Sequence, residues 1–156
     1  MNITRNINKN IFREYDIRGT YPNEINEDIA FTIGKAYGTY IKKYGEKMCL
    51  VGHDNRLSSN SLNHALEEGI LGAGIDVIDL GLVTTPMLYY ARIKKNIPAG
   101  IMVTASHNPK DDNGFKFSFG EVGNAKGEEI YKFRDFVLNN AFDNGAGTLY
   151  RYNIKD

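Results

Sequence analysis

Residues 99–109 read AGIMVTASHNP, an apolar run followed by a polar turn. The run from Ala99 to Val103 predicts a short buried strand. The residue before a proline avoids the helical region, so Asn108-Pro109 stops the chain from entering a helix smoothly. Ser106 and His107 are therefore expected at the carboxyl end of a strand, which is the edge where open α/β sheets place their ligand sites.

Strand-like and helix-like segments alternate along the chain on both sides of this stretch. The alternation predicts an α/β fold, a three-layer α/β/α sandwich with a mixed, mostly parallel sheet. Besides 99–103, strands are predicted at residues 11–17, 48–51 and 75–80, and helices are predicted to begin near Asn26, Ser58 or Ser59, Thr84 and Glu128.

The segment from Asn113 to Phe119 follows its predecessor too closely for a helical crossover. We therefore expect it to be one antiparallel edge strand of the sheet. Phe115, Phe117 and Phe119 alternate onto one face of this strand, which leaves Lys116 on the other face.

The length of 156 residues is typical of one domain with a sizeable core. We expect this domain to occupy residues 11–141. The polar residues 1–10 are predicted to form a disordered tail. Residues 142–156 are interrupted by glycines and become β-like over 148–154, so they are predicted to be a linker or the start of a following domain.

The charge and cysteine content exclude several classes of function. Lysine plus arginine and aspartate plus glutamate number 19 each, so the chain has no net charge that would attract nucleic acid or an anionic membrane. The one cysteine, Cys49, rules out an internal disulfide and a cysteine-based zinc cluster. No apolar stretch could span a bilayer and the N-terminus lacks the apolar segment of a signal peptide, so we predict a cytoplasmic protein.

Ser106 has two interpretations from the residues alone. In the first it is a nucleophile that accepts a phosphoryl group, while His107 and Lys116 supply positive charge or transfer protons. In the second its hydroxyl only caps backbone groups of the turn. Arg18 is open in the same way, because its guanidinium could bind a phosphate or could pair with Asp16. A serine hydrolase is not indicated, since no G-x-S-x-G elbow surrounds Ser106.

Five segments stand in an informative order along the chain. They are IFREYDIRG at 11–19, VGHDNRLS at 51–58, TPMLYYA at 85–91, TASHNP at 104–109 and NGFK at 113–116. In this order they resemble the α-D-phosphohexomutase family, in its bacterial phosphomannomutase/phosphoglucomutase branch, from about Ile11 to Ile130. Members of that family have four domains around a cleft, and this chain resembles the first domain only.

The resemblance implies a function for each candidate residue. Ser106 corresponds to the family's phosphoserine, which passes its phosphoryl group to a hexose phosphate, forms a bisphosphate and takes the other phosphoryl group back. Hexose 1-phosphate and hexose 6-phosphate of mannose, glucose or both are thereby interconverted. Arg18, His107 and Lys116 correspond to positions that bind the substrate phosphate and transfer protons.

The resemblance also implies a cofactor and partners, and it implies that residues outside this chain contribute to their binding sites. Mg²⁺ would contact the phosphate on Ser106 and an Asp-Gly-Asp-Gly-Asp loop of the second domain. No such loop occurs here, and the acidic pair Asp111-Asp112 is interpreted as a solvated loop. The expected partners are a hexose phosphate and the remaining domains of a longer chain, without which the domain is expected to be inactive or nearly so.

Two readings outside the mutases remain open at this point. The chain could be a receiver-like module with Asp54 as the phosphoacceptor, although no acidic pair follows its first predicted strand. It could also be a non-catalytic interaction domain, in which Ser106 is only a turn residue.

Overall fold

A computed structural model describes residues 1–120 and 124–154. These residues form a sheet with the strand order β1-β5-β4-β2-β3-β6. The strands are β1 (Ile17–Thr20), β2 (Met48–His53), β3 (Asp76–Leu82), β4 (Gly100–Val103), β5 (Asp112–Ser118) and β6 (Leu149–Arg151). The helices are α1 (Glu27–Ile41), α2 (Ser59–Gly72), α3 (Thr85–Lys95) and α4 (Glu128–Asn139).

The sheet is mixed and mostly parallel, as the sequence predicts. β2 pairs in parallel with β3 and β4, and β3 pairs in parallel with β6, whereas β5 runs antiparallel to both of its neighbours. The prediction that β5 lies at an edge is wrong, because β1 covers its outer side. Gly114 permits this pairing, since a Cβ there would lie 1.9 Å from the carbonyl oxygen of Ile17.

The two faces of the sheet carry different helices. One face packs against α1, α2 and α4, and the alternating phenylalanines Phe115 and Phe117 are buried there beside Phe133. The other face packs Met102 against Leu88 of α3. The three-layer sandwich is therefore confirmed, and the period-two pattern places Lys116 on the α3 face, where no phenylalanine of β5 lies.

The start of the chain differs from its predicted form. Residues 11–17 do not form a strand, because Arg13 N donates to Asp16 O at 2.8 Å and closes a tight turn before β1. Residues 1–10, predicted to be disordered, lie against the domain: Ile7 is buried, and the Arg5 guanidinium donates to the carbonyls of Val137 (2.5 Å) and Asn140 (2.9 Å).

The end of the described chain also packs on this domain. β6 pairs with β3, and the buried Lys35 ammonium donates to the backbone carbonyl of Asp143 at 3.1 Å. Within residues 142–154, β6 thus adds the last strand to the sheet, and this segment packs on the domain instead of extending away from it as a linker. Lys155 and Asp156, the last two residues of the predicted linker, lie outside the described residues. No helix in the part of the chain that the structure describes is long and apolar enough to cross a membrane.

A buried acidic pair lies between α2 and the β3–β6 edge. Glu67 of α2 is only 4% exposed, and Asp79 of β3 pairs with Arg151 of β6 at 2.8 Å. Burial and then the nearby Asp79 carboxylate raise the pKa of Glu67 from 4.5 to about 8. Between those two values the folded chain holds a proton that the unfolded chain releases.

We expect this proton to make the stability depend on pH. A carboxyl whose pKa is raised by folding stabilises the fold most at low pH, so the free energy of unfolding should fall as the pH rises from about 5 to about 8, by up to about 4 kcal/mol. Glu67→Gln should remove this loss. Urea unfolding at pH values across this range measures it, with Glu128→Gln, at an exposed glutamate of α4, as the control. An equal pH dependence in the Glu67→Gln variant and the wild type would contradict the assignment.

Candidate active site

The loop between β4 and β5 forms the centre of the site. It leaves the carboxyl end of β4 at Thr104, and its turns are closed by the Asn108 amide donating to Ala105 O at 3.0 Å and the Asp112 amide donating to Pro109 O at 2.9 Å. The polar turn expected after the apolar run is therefore present. It lies at the carboxyl edge of the parallel strands, where the sequence predicts a ligand site.

Ser106 has an uncommon backbone conformation in this loop. Its φ is +55°, in the left-handed region that residues other than glycine rarely adopt. Its amide donates to Thr104 Oγ1 at 3.0 Å. Within the described residues its hydroxyl makes no hydrogen bond, so the turn-capping interpretation of that hydroxyl is not supported. Such conformations persist only where the surrounding structure holds them, and they concentrate at functional sites.

Three of the four predicted site residues line one open cleft. Ser106, His107 and Lys116 border a volume of about 830 Å³, which is closed on another side by the first turn of α3. Proline at the start of α3 and the Thr84 hydroxyl, which accepts from Met87 N at 3.3 Å, position that turn. A cleft with a hydroxyl, an imidazole and an ammonium can bind an anionic ligand beside a nucleophile.

Lys116 and His107 keep their polar groups available in this cleft. Neither side chain makes a hydrogen bond or an ion pair with the described residues, although Lys116 is half-buried on β5, opposite Met102 of β4. His107 is exposed and does not bond to the Ser106 hydroxyl, so the two residues do not form the dyad of a serine hydrolase.

Arg18 contacts the loop from β1 but does not line the cleft. Its Nη1 donates to Asn108 Oδ1 at 2.5 Å, and its Nε pairs with the buried Asp16 carboxylate at 2.5 Å. The Asp16–Arg18 pair considered from the sequence is therefore formed. The Nη2 group makes no hydrogen bond with the described residues and remains available to a phosphate.

Sequence reasoning missed the residues that support this loop from the end of β2. From the sequence, Asp54 is considered only as a phosphoacceptor and Arg56 has no predicted role of its own, yet Arg56 donates to carbonyls of the Ser106 loop. The sequence signal was their place directly after a buried strand. Both Asp54 oxygens are engaged, Oδ1 by Ser59 Oγ at 2.5 Å and Oδ2 by Thr104 Oγ1 at 2.7 Å. This engagement speaks against Asp54 as a phosphoacceptor.

The residues around Ser106 do not form a metal site on their own. Among residues 1–120 and 124–154, no group of three histidine, cysteine, aspartate or glutamate side chains could hold a metal ion. The Asp112 carboxylate accepts from Asn108 Nδ2 at 3.1 Å, while Asp111 is exposed. Mg²⁺ takes carboxylate, water and phosphate oxygens as ligands. An Mg²⁺ site here would therefore need ligands beyond the side chains of the described residues.

Comparisons with known proteins agree with this site. Residues 9–143 match the family model described as phosphoglucomutase/phosphomannomutase, alpha/beta/alpha domain I. The chain is 50% identical over 105 residues to a phosphomannomutase of Klebsiella pneumoniae, covering 67% of this chain and 65% of that protein. It is 40% identical over 114 residues to a phosphoglucomutase of Neisseria gonorrhoeae, covering 73% of this chain and 25% of that protein.

A solved structure has the same fold. The crystal structure of a phosphoglucomutase/phosphomannomutase family protein from Burkholderia thailandensis superposes with a TM-score of 0.87 and 34% identity, over 95% of this chain and 34% of that one. The chain thus spans 65% of the Klebsiella relative and a quarter to a third of the other two proteins. With its matching sequence, its sheet and its serine loop, this chain belongs to the phosphoglucomutase/phosphomannomutase family, as the α/β/α domain I.

Proposed function

We propose that this chain is the phosphoserine domain of a phosphohexomutase that interconverts hexose 1-phosphate and hexose 6-phosphate of mannose, glucose or both. The observation that carries the proposal is the Ser106 hydroxyl, which shares a cleft with His107 and Lys116 and, like the Lys116 ammonium, makes no hydrogen bond within residues 1–120 and 124–154. The family membership supports the reaction class.

The transfer can be written for the residues of this chain. A hydroxyl of the bound hexose phosphate attacks the phosphorus on Ser106, the bond from phosphorus to Ser106 Oγ breaks, and the proton of the sugar hydroxyl passes to a base in the cleft. The released Ser106 Oγ takes up a proton. After the bisphosphate turns over, Ser106 Oγ loses that proton and attacks the phosphorus of the other phosphoryl group, the bond from that phosphorus to the sugar oxygen breaks, and the sugar oxygen is protonated. Lys116 and His107, which line the cleft, would balance negative charge on the moving group, and the Nη2 group of Arg18 would bind a phosphate beside the loop. Phosphoryl transfer needs positioning and charge stabilisation above all.

The rest of the site would come from outside this chain. The relatives are mostly several times longer, so we infer that further domains complete the hexose phosphate pocket and that this domain alone has little or no activity. Mg²⁺ would bind to the phosphate on Ser106 and to ligands from another domain, where it would neutralise charge on the transferred group. We place the enzyme in the cytoplasm and expect no nucleic-acid or membrane partner.

Phosphoryl mapping tests this proposal against the receiver-like alternative. The full-length protein, incubated with glucose 1,6-bisphosphate, should gain one phosphoryl group on the peptide that contains Ser106. The phosphoester should survive hydroxylamine, which cleaves the acyl phosphate that Asp54 would form. A hydroxylamine-labile group on Asp54, or an unlabelled Ser106 in a protein that turns over hexose phosphates, would contradict the proposal.

A further inference from the structure

The Arg56 side chain donates hydrogen bonds to four backbone carbonyls of the loop that contains Ser106. Its Nη2 donates to the carbonyl oxygens of Ser106 (2.8 Å) and Asn108 (2.9 Å). Its Nη1 donates to those of Pro109 (2.6 Å) and Asp112 (3.1 Å). The side chain is only 11% exposed. A guanidinium has five N–H donors in a fixed plane, so four carbonyls that point at it are held in one arrangement.

Asp54 links Arg56 to the other side of Ser106. The Asp54 carboxylate pairs with Arg56 Nε at 3.3 Å and accepts from the Thr104 hydroxyl at 2.7 Å. Thr104 Oγ1 in turn accepts from the Ser106 amide at 3.0 Å. A closed ring of three hydrogen bonds and one ion pair therefore holds both the amide and the carbonyl of Ser106, the residue whose φ is +55°.

This ring explains how an uncommon conformation is kept at the predicted nucleophile. A left-handed conformation is unfavourable for a residue other than glycine, and it persists only where neighbouring groups over-determine it. The ring fixes the peptide groups of Ser106 and leaves its hydroxyl unbonded. Because the Arg56 donors are occupied by the loop and by Asp54, Arg56 is not placed to bind the substrate itself.

We propose that Arg56 is a positioning residue for phosphoryl transfer: it holds the loop so that the Ser106 hydroxyl faces the cleft, without contacting the substrate. This inference rests on the proposed mutase function. A misplacement of a reacting group by about 1 Å can lower a rate by about 10²-fold. Loss of Arg56 should therefore lower kcat and leave KM nearly unchanged.

The test compares Arg56→Met and Arg56→Lys in the full-length protein. Arg56→Met should lower kcat by about 10²-fold with KM within about threefold, and it should slow phosphorylation of Ser106 by glucose 1,6-bisphosphate to a similar extent. Arg56→Lys keeps the charge but not the planar set of donors, so it should recover little of the rate. A full recovery by lysine would mean that charge, not positioning, is what Arg56 supplies, and would overturn the proposal.

Arg5→Met is the matched control for a purely structural effect. Arg5 also donates to two backbone carbonyls, but at the end of α4, away from the cleft. It should lower the melting temperature and leave kcat unchanged. If Arg56→Met does not fold, Thr104→Val removes the other support of Ser106 and should give the same kcat loss at constant KM.

The outcomes separate this proposal from the function on which it rests. Absence of hexose phosphate turnover in the wild-type full-length protein would refute the mutase function, and turnover retained in Ser106→Ala would refute the phosphoserine role. Loss of turnover in Ser106→Ala, with wild-type kcat in folded Arg56→Met or in Thr104→Val, would leave the function in place and overturn only the positioning role.

Discussion

Replacing Ser106 by alanine in the full-length protein is expected to lower mutase turnover by at least roughly 10³-fold, the scale expected when the group that forms the covalent intermediate is removed. The methyl group occupies nearly the same space, so the hexose phosphate should still bind. The measurement is conversion of glucose 1-phosphate and mannose 1-phosphate to their 6-phosphates under saturating bisphosphate, together with intact mass to show that no phosphoryl group is gained.

The backbone of Ser106 supplies a sharp control for this prediction. Because the φ of Ser106 is +55°, alanine keeps the conformational strain whereas glycine relieves it. Ser106→Gly should therefore be at least as stable as the wild type, and its turnover should be as low as that of Ser106→Ala. If Ser106→Gly regained turnover, the loss in Ser106→Ala would come from the loop conformation, and the hydroxyl would not be the phosphoryl carrier.

Local patterns in the sequence were sufficient for much of the fold. The apolar run that precedes Ser106 and the alternating phenylalanines of β5 report burial within a few residues, and both appear in the structure as predicted. The last helix, Glu128–Asn139, begins at the predicted residue, because its apolar period and its acidic first turn are both local signals.

Strand neighbours could not be read in this way. The residues of β5 show that one face is buried, but they do not show whether one or two strands pair with it. The sequence therefore predicts β5 at the edge of the sheet, a position that β1 occupies in the structure. For the same reason the sequence predicts that the β6 segment is a linker or begins a following domain. Among the described strands its sheet partner is β3, which is far away in the sequence.

The site shows the same division between local and distant information. Ser106 and His107 were placed by the turn that follows β4. The contacts of Arg18 with Asn108 and of Arg56 with the Ser106 carbonyl join residues 90 and 50 positions apart, and nothing in either segment alone indicates them. The contacts that support a reactive loop form only when the sheet is packed. The sequence therefore predicts no role for Arg56.

Replacing Lys116 by methionine is expected to lower kcat by about 10²–10³-fold, the effect of removing one group that stabilises charge in the transition state. Lys116 is half-buried, lines the cleft with Ser106 and has no partner among the described residues. Its ammonium is therefore free to follow the phosphoryl group as negative charge develops on it. Methionine preserves the length and packing of the side chain, so the fold of β5 should be retained.

Comparing the change in kcat with the change in KM shows whether Lys116 acts in the transition state or in substrate binding. A contact made mainly in the transition state lowers kcat while KM stays within about threefold, whereas a contact made equally in the ground state raises KM alone. Lys116→Arg keeps the charge and should recover part of the rate. Lys132→Met, an exposed lysine on α4 across the sheet, should match the wild type. Wild-type kcat for folded Lys116→Met would remove Lys116 from the catalytic machinery and leave Ser106 without its expected cationic neighbour.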